Sequence, residues 1–232
     1  MQIRGWVKTS LIDYPEHIAT VFFTPGCNFR CPMCHNADLV LRPHSLPSVP
    51  LDDVWAFLER RSGVLTGITL TGGEPTLQPD LAVFIEKARS LSYDVKLDTN
   101  GYRPDVLAAL LDQGLLDYVS MDVKAPLERY GELAELPDLD TTRIEQSLHL
   151  LRESGIGYEL RTTVVPGLLD SDDIEAIARW IAGAERYVLQ QFRGGETLEP
   201  ALSETTPYPR EWLERVADRV RAHVNDVSLR GI

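Results

Sequence analysis

Apolar positions along this chain switch between two periods. Ala19 to Thr24, Gly67 to Thr71, Tyr93 to Thr99, Tyr118 to Val123, Gly157 to Val165 and Tyr187 to Phe192 are short runs rich in β-branched and aromatic residues, and they predict six strands. Between them the apolar residues recur at helical spacing. Leu81, Phe84, Ile85 and Ala88 form one such face behind Pro79. Ile174, Ile177, Ala178 and Ile181 form another, behind Ser171 and two acidic residues suited to a helix N-terminus, and Leu213, Val216, Ala217 and Val220 form a third. Thr142 with Glu145 reads as a capping box opening the helix that carries Ile144, Leu148 and Leu151. Trp55, Trp180 and Trp212 fall inside helical patterns and are read as core or interface.

Strands alternating with helices predict βαβ crossovers and a mainly parallel sheet of the α/β class, as an open doubly wound sheet or as a complete or partial barrel. Either form binds ligands at the carboxyl ends of its strands. Those ends read CNFRCPMC, GGEP, DTNG, DVKAP, VPG and QFRGG, a regular placement of polar residues and glycines that packing alone does not require. The proline-rich stretch Arg42 to Pro50 reads as a loop, and neither a repeat nor a low-complexity tract interrupts the chain. Residues 1–232 are expected to form a single domain.

Composition narrows the function classes. With 44% apolar and 25% charged residues the chain can bury a core, which excludes disordered and collagen-like classes. Lys+Arg 23 against Asp+Glu 35 gives a net charge of -12, which argues against a nucleic-acid partner. No apolar run approaches the ~20 residues that span a bilayer. Met1 to Glu16 has no apolar core of a secretory signal, so a cytoplasmic protein is expected.

The chain has only 3 cysteines, Cys27, Cys31 and Cys34, too close and too few for a disulfide framework. Their spacing lets three sulfurs meet one cuboidal [4Fe–4S] cluster, which ordinarily takes four thiolates. One iron would then stay open, as catalytic metal sites do. The alternative is a zinc site completed by His35 in a Cys₃His set. Thr71-Gly72-Gly73-Glu74-Pro75 follows the second strand, where two glycines let a ligand approach the backbone. His17, His44, His149 and His223 share no ligand-like spacing and are read as surface residues.

The cysteine loop after the first strand, read with GGEP after the second, resembles the radical S-adenosylmethionine superfamily over nearly the whole chain. The resemblance implies a partial (β/α)₆, TIM-like barrel. It also implies that S-adenosylmethionine binds the fourth iron through its amino and carboxylate groups. An electron from the reduced cluster then cleaves the sulfonium to methionine and a 5′-deoxyadenosyl radical. Such a ligand needs charges of both signs around it. Glu74 is expected to accept from the ammonium, while Lys124 and Arg161 supply positive charge for the carboxylate beside Asp98 and Asp122.

Cys34-His35-Asn36, Asp98-Thr99-Asn100-Gly101 and Asp122-Val123-Lys124 are similar to segments of the activating enzymes of glycyl radical enzymes. That similarity implies that Asn36 and Lys124 contact S-adenosylmethionine near Gly72 and Gly73. It implies further that Asp98, Thr99 and Asp122 hold a monovalent cation beside its carboxylate. Met121 to Pro126, Arg161 to Pro166 and Gly5 to Pro15 more closely resemble activating proteins of anaerobic ribonucleotide reductases. The implied partner is that reductase or a pyruvate formate-lyase-like enzyme, with flavodoxin or ferredoxin as electron donor. The alternative is radical chemistry on a small molecule, such as a pterin of the deazaguanine pathway. Met33 stands where the family usually has an aromatic residue, and Gln190-Gln191-Phe192-Arg193 stands where a histidine is found, with Gln191 or Arg193 as its replacement. Without further cysteines, no auxiliary cluster is expected.

Overall fold

The strand-forming runs pair with one another in the order in which they occur. A computed structural model describes residues 1–232. The strands are β1 (Gly5–Ser10), β2 (Ala19–Thr24), β3 (Gly67–Gly72), β4 (Asp94–Thr99), β5 (Tyr118–Asp122), β6 (Gly157–Val164), β7 (Arg186–Gln191) and β8 (Asp226–Arg230). The helices are α1 (Ala37–Leu41), α2 (Leu51–Arg61), α3 (Leu81–Ser90), α4 (Pro104–Asp112), α5 (Tyr130–Leu133), α6 (Thr141–Glu153), α7 (Ser171–Trp180) and α8 (Arg210–Val220). They build an 8-stranded sheet of order β1 to β8, open between its first and last strands. Only the β1–β2 pair is antiparallel, and its register breaks between Val7 and Ser10.

Alternation along each strand divides the molecule into two environments. Ile68, Leu70, Val95, Leu97, Val119, Met121, Leu160 and Leu189 are buried among the apolar faces of the helices, and there lies the core. The opposite face is polar. Thr69, Lys96, Ser120 and Glu159 are all buried there. Ser120 donates to Glu159 at 2.8 Å, and Arg230 of β8 holds the same carboxylate through bonds of 3.0 and 2.9 Å. A buried carboxylate requires such partners.

The six predicted strands are present as β2 to β7, and two more flank them. β1 (Gly-Trp-Val-Lys-Thr-Ser) does not alternate, and β8 (Asp-Val-Ser-Leu-Arg) alternates strictly but over only 5 residues, too few to stand out. Two helix starts also differ from expectation. Asp140, not Thr142, caps α6 by accepting from Thr142 N–H at 3.1 Å, so Thr142 lies inside the first turn. Asp170 caps α7 in a capping box with Asp173, placing Ser171 at the first helical position.

Candidate active site

After β2 the chain delays its next helix, and residues 25–36 form an irregular loop carrying the three cysteines. Its backbone groups are satisfied by distant parts of the chain. Arg30 N–H donates to Ala134 O at 2.9 Å, Leu198 N–H to Cys34 O at 2.9 Å and Glu199 N–H to Pro32 O at 3.0 Å. On its other side the loop presses on the end of β3, where Glu74 N–H donates to Gly26 O at 2.7 Å and Asn36 Nδ2 to Gly72 O at 2.8 Å. Gly72 adopts a φ of 116°, a region that favours glycine.

The carboxyl ends of β3 to β7 and this loop surround a cavity of about 210 Å³. Cys27, Cys31, Cys34, Asn36, Gly72, Gly73, Glu74, Asp98, Thr99, Asp122, Lys124 and Arg161 all line it. Sequence reasoning missed Asn100, Thr163 and Gln190, which line it too. Gln190 is the β7 residue that faces the cavity. Gln191 turns outward, donating to Tyr208 O at 2.6 Å, and the Arg193 side chain is exposed. A larger depression of about 900 Å³ lies near α4 and α6, but its rim of paired surface charges, such as Arg103 with Asp105, assembles no comparable chemistry.

Glu74 is 1% exposed and lines the cavity. It accepts from Thr76 N–H at 3.1 Å, Thr76 Oγ1 at 2.6 Å, Thr99 Oγ1 at 2.8 Å and Asn100 N–H at 2.7 Å. Burial pushes this carboxyl up, against the four donors that favour its charged form. These bonds tie the β3 end to the β4 end, and Oε2, whose one donor is Asn100 N–H, keeps capacity for a further donor from the cavity that Glu74 lines.

A charged cluster forms the opposite wall. Arg161 bridges two carboxylates, with Nε donating to Asp122 at 2.9 Å and Nη1 to Asp98 at 3.3 Å. Lys124 Nζ donates to Asp122 at 2.8 Å, and Lys96 Nζ pairs with Asp98. Burial alone would push both carboxyls up, but Arg161 and these lysines hold them below the usual carboxylate range. Three cations thus face two carboxylates, leaving one positive charge in surplus.

The sulfurs distinguish between the two metal readings. No three His, Cys, Asp or Glu side chains come close enough to share one ion. His35 Nε2 bonds to Arg193 O at 2.7 Å, and its ring stacks on Phe192 at 5.5 Å. That bond leaves Nδ1 free, but His35 and the three thiols do not converge on a single point. Three thiols spread around one cavity fit a polynuclear iron–sulfur cluster, in which each iron takes its own thiolate. Phe29 N–H donates to Cys27 Sγ at 3.4 Å, and Asn100 Nδ2 lies 3.8 Å from the same sulfur, the contacts that stabilise a cluster thiolate. As a free thiol Cys27 is pushed up to about 12 by burial and Cys31 to about 11.

Comparison with known proteins bears on the same residues. The profile of the Radical SAM superfamily matches residues 21–181. A candidate glycyl-radical enzyme activating enzyme of Methanocaldococcus jannaschii is 32% identical over 238 residues, covering 99% of this chain and 96% of its own length. A second protein of that organism, with the same description, is 28% identical and covers 78% of this chain and 75% of its own. Among solved structures, Streptococcus suis SuiB bound to its precursor peptide SuiA superposes with a TM-score of 0.66 at 15% identity. That match covers 90% of this chain and 47% of SuiB, so it bears on the fold alone.

Proposed function

The chain belongs to the radical SAM superfamily, and from that premise we propose that it is an activase, which takes a hydrogen atom from a backbone glycine of a partner enzyme and leaves a glycyl radical there. The observation carrying this reading is the near full-length similarity to a candidate glycyl-radical activating enzyme, joined to a site in which CHN, DTNG and D-V-K meet. When bound, a [4Fe–4S] cluster and S-adenosylmethionine supply one-electron cleavage of a sulfonium and hence a hydrogen-atom abstractor.

The chain's own residues perform the rest. Cys27, Cys31 and Cys34 would hold three irons and leave the fourth for the cofactor. Phe29 N–H and the Asn100 amide donate to Cys27 Sγ, and such bonds tune cluster potential. Lys124, Arg161 and Lys96 carry the surplus positive charge that receives a carboxylate. Gly72 and Gly73 line the cavity, and their missing Cβ atoms let the backbone of Thr24 and Gly26 pack against the β3 end. Docking of a partner's glycine-bearing loop over the cavity would exclude water from the reacting centre. The partner proposed is an anaerobic ribonucleotide reductase, ahead of a pyruvate formate-lyase-like enzyme, with flavodoxin or ferredoxin as donor.

The test is anaerobic. Reconstituted, reduced protein is mixed with S-adenosylmethionine and the candidate partner, and the expected result is a glycyl doublet by EPR. Cofactor cleavage driven by a small molecule, with no doublet on any glycyl radical enzyme of the same organism, would overturn the activase reading in favour of a small-molecule substrate. A separate expectation concerns Lys124, whose ammonium is partly exposed to the cavity. Lys124→Ala should retain the iron–sulfur absorbance and weaken S-adenosylmethionine binding about tenfold or more, since a charge-assisted bond contributes about 1.5–3 kcal/mol. Equilibrium dialysis reads this, and unchanged affinity removes Lys124 from the ligand's contacts.

A further inference from the structure

The resemblance implies a metal cation held by Asp98, Thr99 and Asp122, and the structure does not offer one a place. Thr99 Oγ1 donates to Glu74 at 2.8 Å and accepts from Gly101 N–H at 3.1 Å, so its hydroxyl serves the loop brace. All four carboxylate oxygens are already matched with cations of the chain. Lys96 Nζ takes Asp98 Oδ1 and Arg161 Nη1 takes Asp98 Oδ2. Arg161 Nε takes Asp122 Oδ1 and Lys124 Nζ takes Asp122 Oδ2.

Of these cations, Lys96 is the one that the family-like motifs do not name. It lies two residues before Asp98 on β4, which puts both side chains on the polar face of the sheet. The residue is 2% exposed, so its charge is sequestered between the sheet and the cavity wall. A buried ammonium with no partner is disfavoured strongly enough that its position is dictated by the carboxylate it meets. We infer that Lys96 is a tethered substitute for the monovalent metal ion: it supplies the charge beside Asp98 that positions the cofactor's carboxylate, and the pocket works without added potassium or sodium.

Charge balance supports the substitution. Within the wall itself Lys96, Lys124 and Arg161 outnumber Asp98 and Asp122 by one, which turns one net positive charge toward an incoming carboxylate, while Glu74 of the same cavity is bonded by neutral donors alone. Without Lys96 the same groups balance to zero, and a bound carboxylate would then call for an external cation. Lys96 is in this sense a positioning residue. The inference rests on reading the cavity as an S-adenosylmethionine site.

The experiment measures S-adenosylmethionine affinity of the anaerobically reconstituted protein by equilibrium dialysis. Choline chloride is compared with potassium chloride and sodium chloride at equal ionic strength, for the natural chain and for Lys96→Met. The natural chain should bind within about twofold in all three salts. Lys96→Met should bind at least tenfold more weakly in choline chloride and recover affinity when potassium or sodium is added. A tenfold loss for the natural chain in choline overturns the inference, as does a folded Lys96→Met that binds in choline as tightly as the natural chain. If the variant fails to fold by circular dichroism, the salt comparison on the natural chain decides alone. Absence of binding in every salt would instead strike the S-adenosylmethionine reading itself, and this inference would fall with it.

Discussion

Replacing any one of Cys27, Cys31 and Cys34 by alanine is expected to yield a folded chain with no iron–sulfur chromophore and cofactor cleavage reduced by more than about 10³-fold, a barrier increase of about 4 kcal/mol. The fold should tolerate the change because each substitution removes one sulfur atom from a loop whose shape is held by backbone bonds to residues 134, 198 and 199; Cys27 and Cys34 are only partly buried, and Cys31, which is buried in the core, should cost the most stability of the three. The cluster should not tolerate it, because the chain contains no other thiol to take over a vacant iron. Iron content, visible absorbance and release of 5′-deoxyadenosine after anaerobic reconstitution measure the three parts of this expectation. A variant that keeps both its absorbance and its cleavage would show that the altered cysteine is not a ligand.

Gly73→Ala should produce the second large effect, this time on stability and assembly together. A Cβ built at Gly73 lies 1.9 Å from Gly26 O and 2.6 Å from Gly26 C. Both obstacles are backbone, so no side-chain rotation relieves the clash. The two loops would have to part, loosening the Glu74 N–H bond to Gly26 O and the Gly73 N–H bond to Thr24 O, at 2.7 and 2.8 Å. Overpacking of this kind costs about 3 kcal/mol, which lowers the melting temperature of a chain this size by about 6–12 °C. Because Gly26 adjoins Cys27, iron uptake should fall as well. Thermal melts and iron analysis check this, and a variant melting within about 2 °C of the natural chain would mean that the loops are not in such close contact.

How much could be read from the sequence depended on the range of the interaction. The strands β2 to β7 were legible because their apolar runs are dense, and the cavity residues were legible because polar groups at the carboxyl ends of parallel strands have few other reasons to recur. The role of Glu74 was not legible. Its partners Thr99 and Asn100 lie 25 and 26 residues away, and only the folded chain shows that they bond its carboxylate. Gln190 was overlooked in favour of Gln191 because adjacent residues of a strand face opposite ways, so an error of one position inverts the assignment. Lys96 in the run Tyr-Asp-Val-Lys-Leu-Asp-Thr reads as a solvated lysine until folding buries it against Asp98. The caps of α6 and α7 differ from expectation by one or two residues because several capping-competent side chains stand in a row at each start.

The sheet's failure to close has a consequence for the protein at high concentration. Two strands present unpaired backbone groups outward, and free edges of this kind can recruit further strands into polymers. Each edge carries a deterrent. β1 bears Lys8 and an irregular pairing between Val7 and Ser10, which interrupts the straight template that another strand would need. β8 has only 5 residues and is charged at both ends, by Asp226 and Arg230. These features oppose edge-to-edge pairing across the gap in the wall.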